Sequence, residues 1–181
     1  VSSSTPLAML YAADATATAT AEASATLTAV DLPSYMDLFL GNVAGVIGET
    51  SAIALLIGFA YLLYRGVISW RIPVIYIGVV GLMTFVFGAN GLFTGNGIYH
   101  ILSGGLMLGA IFMATDYSSS PVTPRGQIIF ALGCGILTSV IRLWGGYPEG
   151  VSYSILLMNV AAPLIDKYTI PKIYGEVKAN A

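Results

Sequence analysis

The sequence predicts an all-α polytopic membrane protein with about five transmembrane helices. Three observations lead to this fold class. Only 9% of the 181 residues are charged and 56% are hydrophobic, whereas a soluble domain carries roughly 25% charged residues. Residues 72–115 contain no formal charge, and a stretch of that length holds two spans of about 20 residues each. The Lys and Arg residues lie almost entirely in short segments between or after the apolar stretches, as in polytopic membrane proteins.

The composition also excludes several classes of protein. A disordered chain has low hydrophobicity, and a nucleic-acid-binding domain needs a basic surface, which a net charge of −2 does not supply. The single cysteine, Cys134, excludes a disulfide framework and a multi-cysteine iron–sulfur or zinc site within this chain. Because Cys134 lies in an apolar stretch, we expect a small packing residue rather than a reactive thiol.

The N-terminal residues 1–11 are interpreted as a loop that carries a row of hydroxyl groups. Pro6 disfavours the α conformation in the residue before it, so we expect Thr5 to present its side chain. Such a row is either an ordinary helix cap or Ser/Thr turn or a place where a covalent group is attached. The hydroxyl residues are Ser2, Ser3, Ser4 and Thr5.

Two further segments precede the membrane domain. Residues 12–31 are rich in alanine and threonine and bury too little to pack, which predicts an extended extracytoplasmic loop. Residues 32–41 predict a short helix at the membrane interface, with Asp31 as its N-cap, Pro33 in its first turn and Gly41 at its end. Since the chain begins without Met or a charged leader, we expect it to be part of a longer protein.

The predicted membrane domain, residues 43–166, contains five apolar stretches. The first is about 13 residues long, or ~20 Å as a helix, which is short of the ~30 Å hydrocarbon core. Either Thr50 or Ser51 caps a short, broken or re-entrant segment, or the helix begins near Val43 and carries Glu49 into the membrane. The five expected spans are residues 52–64, 73–89, 98–115, 126–143 and 151–165.

The basic residues predict the orientation of these spans. Such residues lie between the first and second spans, between the third and fourth, and in the tail at residues 167–181. With five spans these segments share one side, which the excess of Lys and Arg identifies as cytoplasmic. The uncharged loop at residues 90–97 and the segment with Thr5 then lie on the outer side.

The tryptophans at the ends of the spans fit this orientation, and one arginine departs from it. Trp70 and Trp144 fall at opposite membrane interfaces, where tryptophan is enriched. Arg142 is the exception to the charge pattern, since it lies at the outer end of the fourth span. We expect it either to extend outward to the interface or to pair with Glu149.

Three other polar residues have both a functional and a structural interpretation. Glu49, near the start of a span, is a candidate for the ion path or the cofactor surroundings, or else a carboxylate at a helix N-terminus. Asp116 is expected to be a solvated loop acid. The single histidine, His100, is expected to be a hydrogen-bonded packing residue, because one histidine and one cysteine on different spans do not make a zinc site.

Three blocks of sequence resemble one known family of membrane proteins. They are Ser-Ser-Ser-Thr-Pro-Leu at residues 2–7, Leu-Phe-Leu-Gly at residues 38–41 leading into Ile-Gly-Glu-Thr-Ser at residues 47–51, and Phe-Met-Ala-Thr-Asp at residues 112–116 leading into Ser-Pro-Val-Thr-Pro-Arg-Gly at residues 120–126. In this order they are similar to the NqrB/RnfD family, which comprises RnfD of the Rnf complex and NqrB of the sodium-pumping NADH:quinone oxidoreductase. The chain resembles the C-terminal half of the Rnf member.

The resemblance implies a cofactor. In this family flavin mononucleotide (FMN) is joined through its phosphate to a threonine hydroxyl by a separate flavin transferase, and Thr5 stands at the matching position. Ser2, Ser3 and Ser4 would line the phosphate as hydroxyl donors, and Glu49 would lie in the flavin surroundings. A second, non-covalent flavin such as riboflavin is a further expectation. No residue of the chain is expected to be catalytic or to bind a metal.

The resemblance also implies a fold, a location and partners. The five spans would form one half of a ten-helix, two-repeat fold similar to that of urea transporters, in a prokaryotic cell (inner) membrane. The protein would relay electrons between ferredoxin and NAD⁺ within a redox-driven Na⁺ or H⁺ pump. This chain has no nucleotide-binding glycine loop and no cysteine cluster. We therefore expect other subunits of the complex to supply the NAD⁺ and iron–sulfur chemistry.

The alternative interpretation is a transporter or channel half-domain with no redox role. Short, glycine-rich, interrupted spans are typical of transporter repeats. The two interpretations differ over whether Thr5 carries a flavin.

Overall fold

The computed structural model describes residues 6–9, 33–43, 50–88, 91–93, 97–145 and 149–170. Within these residues the regular secondary structure is helical apart from one pair of two-residue strands. The predicted site residues Ser2, Ser3, Ser4, Thr5 and Glu49 lie outside the described residues. So do nearly all of the Ala/Thr-rich loop and the last eleven residues of the tail.

The described elements follow one another along the chain with short connections. A single helical turn occupies residues 6–9. The later elements are α1 (Tyr35–Leu40), α2 (Ala52–Tyr64), α3 (Arg71–Val86), β1 (Phe87–Gly88), β2 (Gly91–Leu92), α4 (Gly97–Leu102), α5 (Leu106–Leu108), a π-helical turn (Gly109–Met113), α6 (Pro124–Trp144) and α7 (Val151–Thr169). The strands β1 and β2 pair antiparallel.

Helix α1 ends where the sequence predicts and begins later. Gly41 follows it with a φ of 92°, the left-handed conformation that glycine adopts at helix ends. A Cβ on Gly41 would lie 2.8 Å from the Cβ of Ser51, so glycine also permits the close approach of α1 to the start of α2. The expected N-cap at Asp31 is wrong. Ser34 occupies that position in an extended conformation, and Pro33 precedes the cap instead of entering the first turn.

Helix α2 has the predicted bounds. The Ser51 side chain accepts a hydrogen bond from the backbone N–H of Ala54 at 3.4 Å and caps the helix. The backbone of Ser51 is extended, so a continuous helix from Val43 through Glu49 into α2 is excluded. Of the two possibilities for the first span, the structure contains the short segment that begins after Ser51.

The third predicted span, residues 98–115, is not one continuous helix. Helix α4 stops at Leu102, α5 begins at Leu106, and the chain then enters the π-helical turn. The physical reason for the break is Gly104, whose φ of 73° is left-handed and incompatible with a continuing right-handed helix. The hydroxyl of Ser103 donates back to the carbonyl of Tyr99 at 2.6 Å, which stabilises the end of α4.

Helices α6 and α7 are the longest elements, with 21 and 19 residues. Thr123 caps α6 by accepting from the backbone N–H of Gly126 at 3.0 Å. Of the helices in the described part of the chain, α6 is long and apolar enough to cross a bilayer, and α2 and α3 are shorter apolar helices. Helix α7 continues to Thr169, beyond the predicted end of the fifth span, and carries Pro163 within it.

The helix directions follow from contacts between α3, α6 and α7. Tyr76 of α3 contacts Thr138 of α6. Further along both helices, the rings of Phe87, just after α3, and Trp144, at the end of α6, lie 5.8 Å apart, so α3 and α6 run parallel. Helix α7 runs antiparallel to α6. Trp70 and Trp144 therefore lie at opposite ends of the bundle, both exposed.

The core lies where α3, α6 and α7 meet the broken third span. Cys134 is fully buried in it, which confirms the prediction of a packing residue. The buried members of the core are Ile72, Tyr76, Val80, Leu106, Ala110, Ala114, Phe130, Ala131, Cys134, Val151 and Ile155.

Candidate functional site

The candidate site begins at the helical turn of residues 6–9, directly after the hydroxyl segment. Pro6 and Leu7 are both buried, and Leu7 has no exposed surface. The hydroxyl of Tyr99 donates to the backbone carbonyl of Pro6 at 3.4 Å. This N-terminal turn is therefore packed into the bundle. The surface that receives it, called the seat here, includes Tyr99 and Gly104, which lie more than ninety positions later in the chain.

The break between α4 and α5 forms the floor of this seat. A Cβ on Gly104 would lie 3.4 Å from Cδ2 of Leu7 and 3.4 Å from Nη2 of Arg142. It would also lie 3.3 Å from Oε1 of Glu149. The absence of a side chain at Gly104 thus lets an apolar turn, a cation and a carboxylate converge on one point.

Arg142 is held inside this site and does not extend outward. Its side chain is 1% exposed, and Nη1 donates to the backbone carbonyl of His100 at 2.6 Å. That carbonyl lies in the last four residues of α4, whose carbonyls lack partners within a helix. The expected outward extension is wrong, because the break in the third span offers the guanidinium a buried acceptor. The other expectation, a pair with Glu149, stays a prediction; both side chains lie beside Gly104.

His100 is buried beside the same break. Its Nδ1 atom has no hydrogen-bond partner among the residues that the structure describes, so the imidazole is not the satisfied packing residue that we expected. The site therefore contains the Arg142 guanidinium, the Glu149 carboxylate and the His100 imidazole, whose Nδ1 has no hydrogen-bond partner among the described residues. No cluster of three or more potential metal ligands occurs within the described ranges.

The remaining predicted polar residue, Asp116, lies in the exposed loop after the π-helical turn. Its carboxylate accepts hydrogen bonds from the hydroxyls of Ser118 at 2.5 Å and Ser119 at 3.3 Å. The bond from Ser118 is the main cause that holds the pKa of Asp116 below its ordinary value. Asp116 is therefore a charged, solvated loop residue, as expected.

A second feature, which the sequence analysis missed, is a ring of three buried hydroxyls between α3, α6 and α7. Tyr76 bonds to Thr138 at 2.7 Å and to Ser154 at 2.9 Å, and Thr138 bonds to Ser154 at 2.6 Å. The available signal was the presence of hydroxyl residues within three otherwise apolar spans, since such residues bond across helices in membrane proteins.

A cavity of about 360 Å³ lies at the opposite end of the bundle. Its wall includes a hydrogen bond from the Ser69 hydroxyl to the Gln127 side-chain carbonyl at 3.1 Å, which joins the loop before α3 to α6. The lining residues are Gly66, Val67, Ile68, Ser69, Ile72, Thr115, Tyr117, Ser120, Pro121, Val122 and Gln127.

Comparison with known proteins identifies the family. The sequence profile of the NQR2, RnfD, RnfE family matches residues 1–175. The chain belongs to this family. The resemblance of the three sequence blocks is thereby confirmed, and the match includes both the hydroxyl segment and the described helices.

Individual members of the NQR2, RnfD, RnfE family are also similar to this chain. The D component of the Na⁺-translocating ferredoxin:NAD⁺ oxidoreductase complex of Acetobacterium woodii is 52% identical over 180 residues, 98% of this chain and 50% of that protein. The D component of the proton-translocating ferredoxin:NAD⁺ oxidoreductase complex of Clostridium ljungdahlii is 58% identical over 142 residues, 78% of this chain and 43% of that protein. The chain spans about half the length of these relatives.

Proposed function

We propose that this chain is the C-terminal half of a flavin-carrying membrane subunit of an Rnf-type complex. The complex relays electrons between ferredoxin and NAD⁺ and moves Na⁺ or H⁺ across a prokaryotic cell membrane. The names of the relatives support the reaction class and the complex. The observation that carries the flavin part is the seat of residues 6–9, which fixes the chain one residue after Thr5.

The described residues near Thr5 fit an attached phosphate. Arg142 places a buried positive charge beside Leu7, two residues after Thr5, and guanidinium groups pair readily with phosphate oxygens. His100 adds a buried nitrogen without a partner in the described part of the chain. A buried cation beside the turn that directly follows the hydroxyl segment favours a phosphoester anchor over an ordinary turn.

Each residue has a separate task in this proposal. The oxygen of Thr5 would hold FMN through a phosphoester, and Ser2, Ser3 and Ser4 would donate hydrogen bonds to the phosphate. Arg142 balances its charge, and Glu49 borders the flavin or the ion path. The bound FMN supplies reversible one- and two-electron redox chemistry at its isoalloxazine ring, so the protein residues bind and orient and do not react.

The proposal extends to the rest of the protein and its neighbours. The helices described here form half of a ten-helix, two-repeat membrane domain similar to that of urea transporters. The lipid bilayer and the other half cover the apolar side chains exposed on α7, such as Leu156 and Val160. Partner subunits carry the remaining flavins and the iron–sulfur clusters, a flavin transferase loads Thr5, and a second flavin such as riboflavin binds without a covalent bond.

In-gel fluorescence tests the covalent flavin. The full-length protein is expressed with an active flavin transferase, separated by denaturing electrophoresis and viewed under ultraviolet light. We expect a fluorescent band that is lost in Thr5→Ala and retained in the matched control Thr16→Ala, which alters a threonine in the Ala/Thr-rich loop. A wild-type protein without a band, at normal expression, would contradict the proposal.

The transporter or channel half-domain remains the second candidate, and one observation favours it. The third span is interrupted at Gly104 and continues as a π-helical turn, and discontinuous helices line the substrate sites of many transporters. Uptake of radioactive sodium into vesicles separates the two candidates. A redox pump takes up the ion only when reduced ferredoxin is supplied, whereas a channel half takes it up down a gradient alone.

A further inference from the structure

The turn at residues 6–9 is the one part of the N-terminal segment that is tied to the helical bundle in the described structure. Leu7 has no exposed surface, and Pro6 is bonded through its carbonyl to Tyr99. A leucine that served only to connect two segments would not need a preformed seat. The burial therefore requires an explanation beyond the attachment chemistry at Thr5.

We propose that this turn is a docked anchor that fixes the position of the group carried by Thr5, with Gly104 and Tyr99 as positioning residues. The inference rests on the proposed function, since the group in question is the covalent flavin. It adds that the attachment point of the flavin is held at a fixed place on the bundle by the protein backbone after Thr5.

Covalent geometry sets the length of the tether. Adjacent Cα atoms are about 3.8 Å apart across a trans peptide bond, so the Cα of Thr5 lies one such step from buried Pro6. The slack between the seat and the attachment site is a single peptide unit. An attached ring then moves through the ψ torsion of Thr5, the torsions of the threonine side chain, and those of its own phosphate and ribityl chain.

Gly104 makes the seat possible. Its left-handed φ of 73° turns the chain away from α4, and the missing side chain leaves room for Leu7. An added Cβ would approach Leu7, Arg142 and Glu149 at 3.3–3.4 Å. A substitution at this position is therefore strained by its backbone conformation and also pushes against the anchor.

Fixing the ring suits a relay protein. The protein's contribution to a cofactor reaction is to hold the reactive atoms in a defined place, and a functional group is held best by residues locked through packing. A swinging carrier would need an exposed or flexible hinge after the attachment site. The buried proline and leucine at that position are the opposite of a hinge.

Two pairs of variants in the full-length protein test the anchor. Leu7→Ala empties the seat, and its control Leu164→Ala truncates an exposed leucine on α7. Tyr99→Phe removes only the hydroxyl that binds the Pro6 carbonyl, and its control Tyr168→Phe removes an exposed hydroxyl. Tyr99→Phe decides the question if Leu7→Ala does not fold.

Three measurements are made on each variant: the in-gel flavin band, the fluorescence anisotropy of the native protein, and hydrogen exchange of the peptide that contains residues 6–9. We expect an undiminished band throughout. Anisotropy falls and exchange accelerates in Leu7→Ala, and to a smaller extent in Tyr99→Phe, because the ring gains nanosecond motion when its tether lengthens. The two controls match the wild type.

The outcomes separate this inference from the proposed function. A wild-type protein without a flavin band overturns the proposed function, and the anchor's role toward the flavin falls with it. A normal band with unchanged anisotropy and exchange in Leu7→Ala and Tyr99→Phe overturns the anchor alone. A band with lowered anisotropy in both variants and in neither control supports it.

Discussion

The three hydroxyls of Tyr76, Thr138 and Ser154 show how single polar residues stabilise an otherwise apolar interior. Each is buried on a different helix, and each bonds to the other two. A buried hydroxyl without a partner is costly, so the ring favours the one arrangement of α3, α6 and α7 in which all three meet. It fixes the packing register of the helices more than it adds to their overall stability.

Tyr76→Phe tests this ring. The substitution removes one hydroxyl and leaves Thr138 and Ser154 bonded to each other, so we expect a loss of roughly 0.5–1.5 kcal/mol in the free energy of unfolding. Thermal or denaturant unfolding of the detergent-purified protein measures it. Tyr168→Phe, at an exposed tyrosine, is the control, and equal stability of the two variants would contradict the prediction.

Ser118→Ala tests the pH dependence of the exposed loop. The Ser118 hydroxyl holds the pKa of Asp116 below its ordinary value. A lowered pKa in the folded state means that ionised Asp116 stabilises the loop above its ordinary pKa, and this contribution is lost as the pH falls through the lowered value. In Ser118→Ala we expect the pKa of Asp116 to rise toward its ordinary value.

Titration of the Asp116 carboxyl carbon by NMR measures this shift. Ser118→Thr keeps a hydroxyl at the same place and is the matched control. If Ser118→Ala and Ser118→Thr titrate at the same pH, the hydrogen bond is not the cause of the lowered pKa.

At the scale of the elements, two glycines on α6 set how closely the neighbouring helices approach. A Cβ on Gly135 would lie 2.7 Å from Cβ and Cγ1 of Val79 on α3, whereas a Cβ on Gly133 would lie 2.4 Å from the terminal methyl of Met158 on α7. Valine is branched at Cβ and has few alternatives, but the end of a methionine side chain moves easily. The two glycines therefore differ in what a methyl group would displace.

Alanine substitutions at these glycines test the difference. We expect Gly135→Ala to destabilise the protein by about 1–3 kcal/mol, since overpacking forces the α3 and α6 backbones apart. Gly133→Ala costs less. Gly78→Ala, where a Cβ meets no atom within 4 Å, is neutral or stabilises by up to ~1 kcal/mol through helix propensity. Unfolding measurements that rank Gly133→Ala as the more damaging variant would contradict this account.

The elements also show how far the sequence predicts the fold. The apolar stretch and Ser51 predicted α2 with its bounds, whereas the predicted fourth span, residues 126–143, begins two residues after the observed start of α6 at Pro124. The break at Gly104 was not predicted, because hydropathy does not distinguish a glycine that packs inside a helix from one that ends it. What makes the break stable is Arg142, a residue from another helix, and that pairing is not local information.

The candidate site, too, is only partly predictable from the sequence. The hydroxyl segment was identified from its composition and its resemblance to the family, and its residues lie outside the described structure. The seat that holds the chain after Thr5 depends on contacts from Leu7 and Pro6 to Gly104 and Tyr99. Those contacts join distant parts of the chain, so only the folded structure reveals them.

At the scale of the whole molecule, the helix directions constrain which loops share an end. Helices α3 and α6 run parallel, so the loops before both helices lie at one end, with the cavity of about 360 Å³. The residue 6–9 turn and Arg142 lie toward the other end. If the basic loops are cytoplasmic, the proposed flavin anchor faces outward, in agreement with the predicted orientation.

Labelling from one side of the membrane tests the predicted topology. In a Cys134→Ser background, we expect Ser118→Cys to react with an impermeant maleimide only in inverted vesicles. Asn96→Cys, in the predicted outer loop, reacts only in right-side-out vesicles. Reaction of both from the same side would show that the number of spans between them is even and would overturn the five-span topology.

The docking of Leu7 onto Gly104 and Arg142 has a consequence for the order of events during synthesis. The ribosome makes Leu7 first and Arg142 far later, and at 5–20 residues per second the interval is on the order of ten seconds. During that interval the seat for Leu7 is incomplete, so the turn at residues 6–9 is not yet held by it. On the proposed function, a modifying enzyme that needs an extended substrate at Thr5 has its easiest access then, before α6 closes the site.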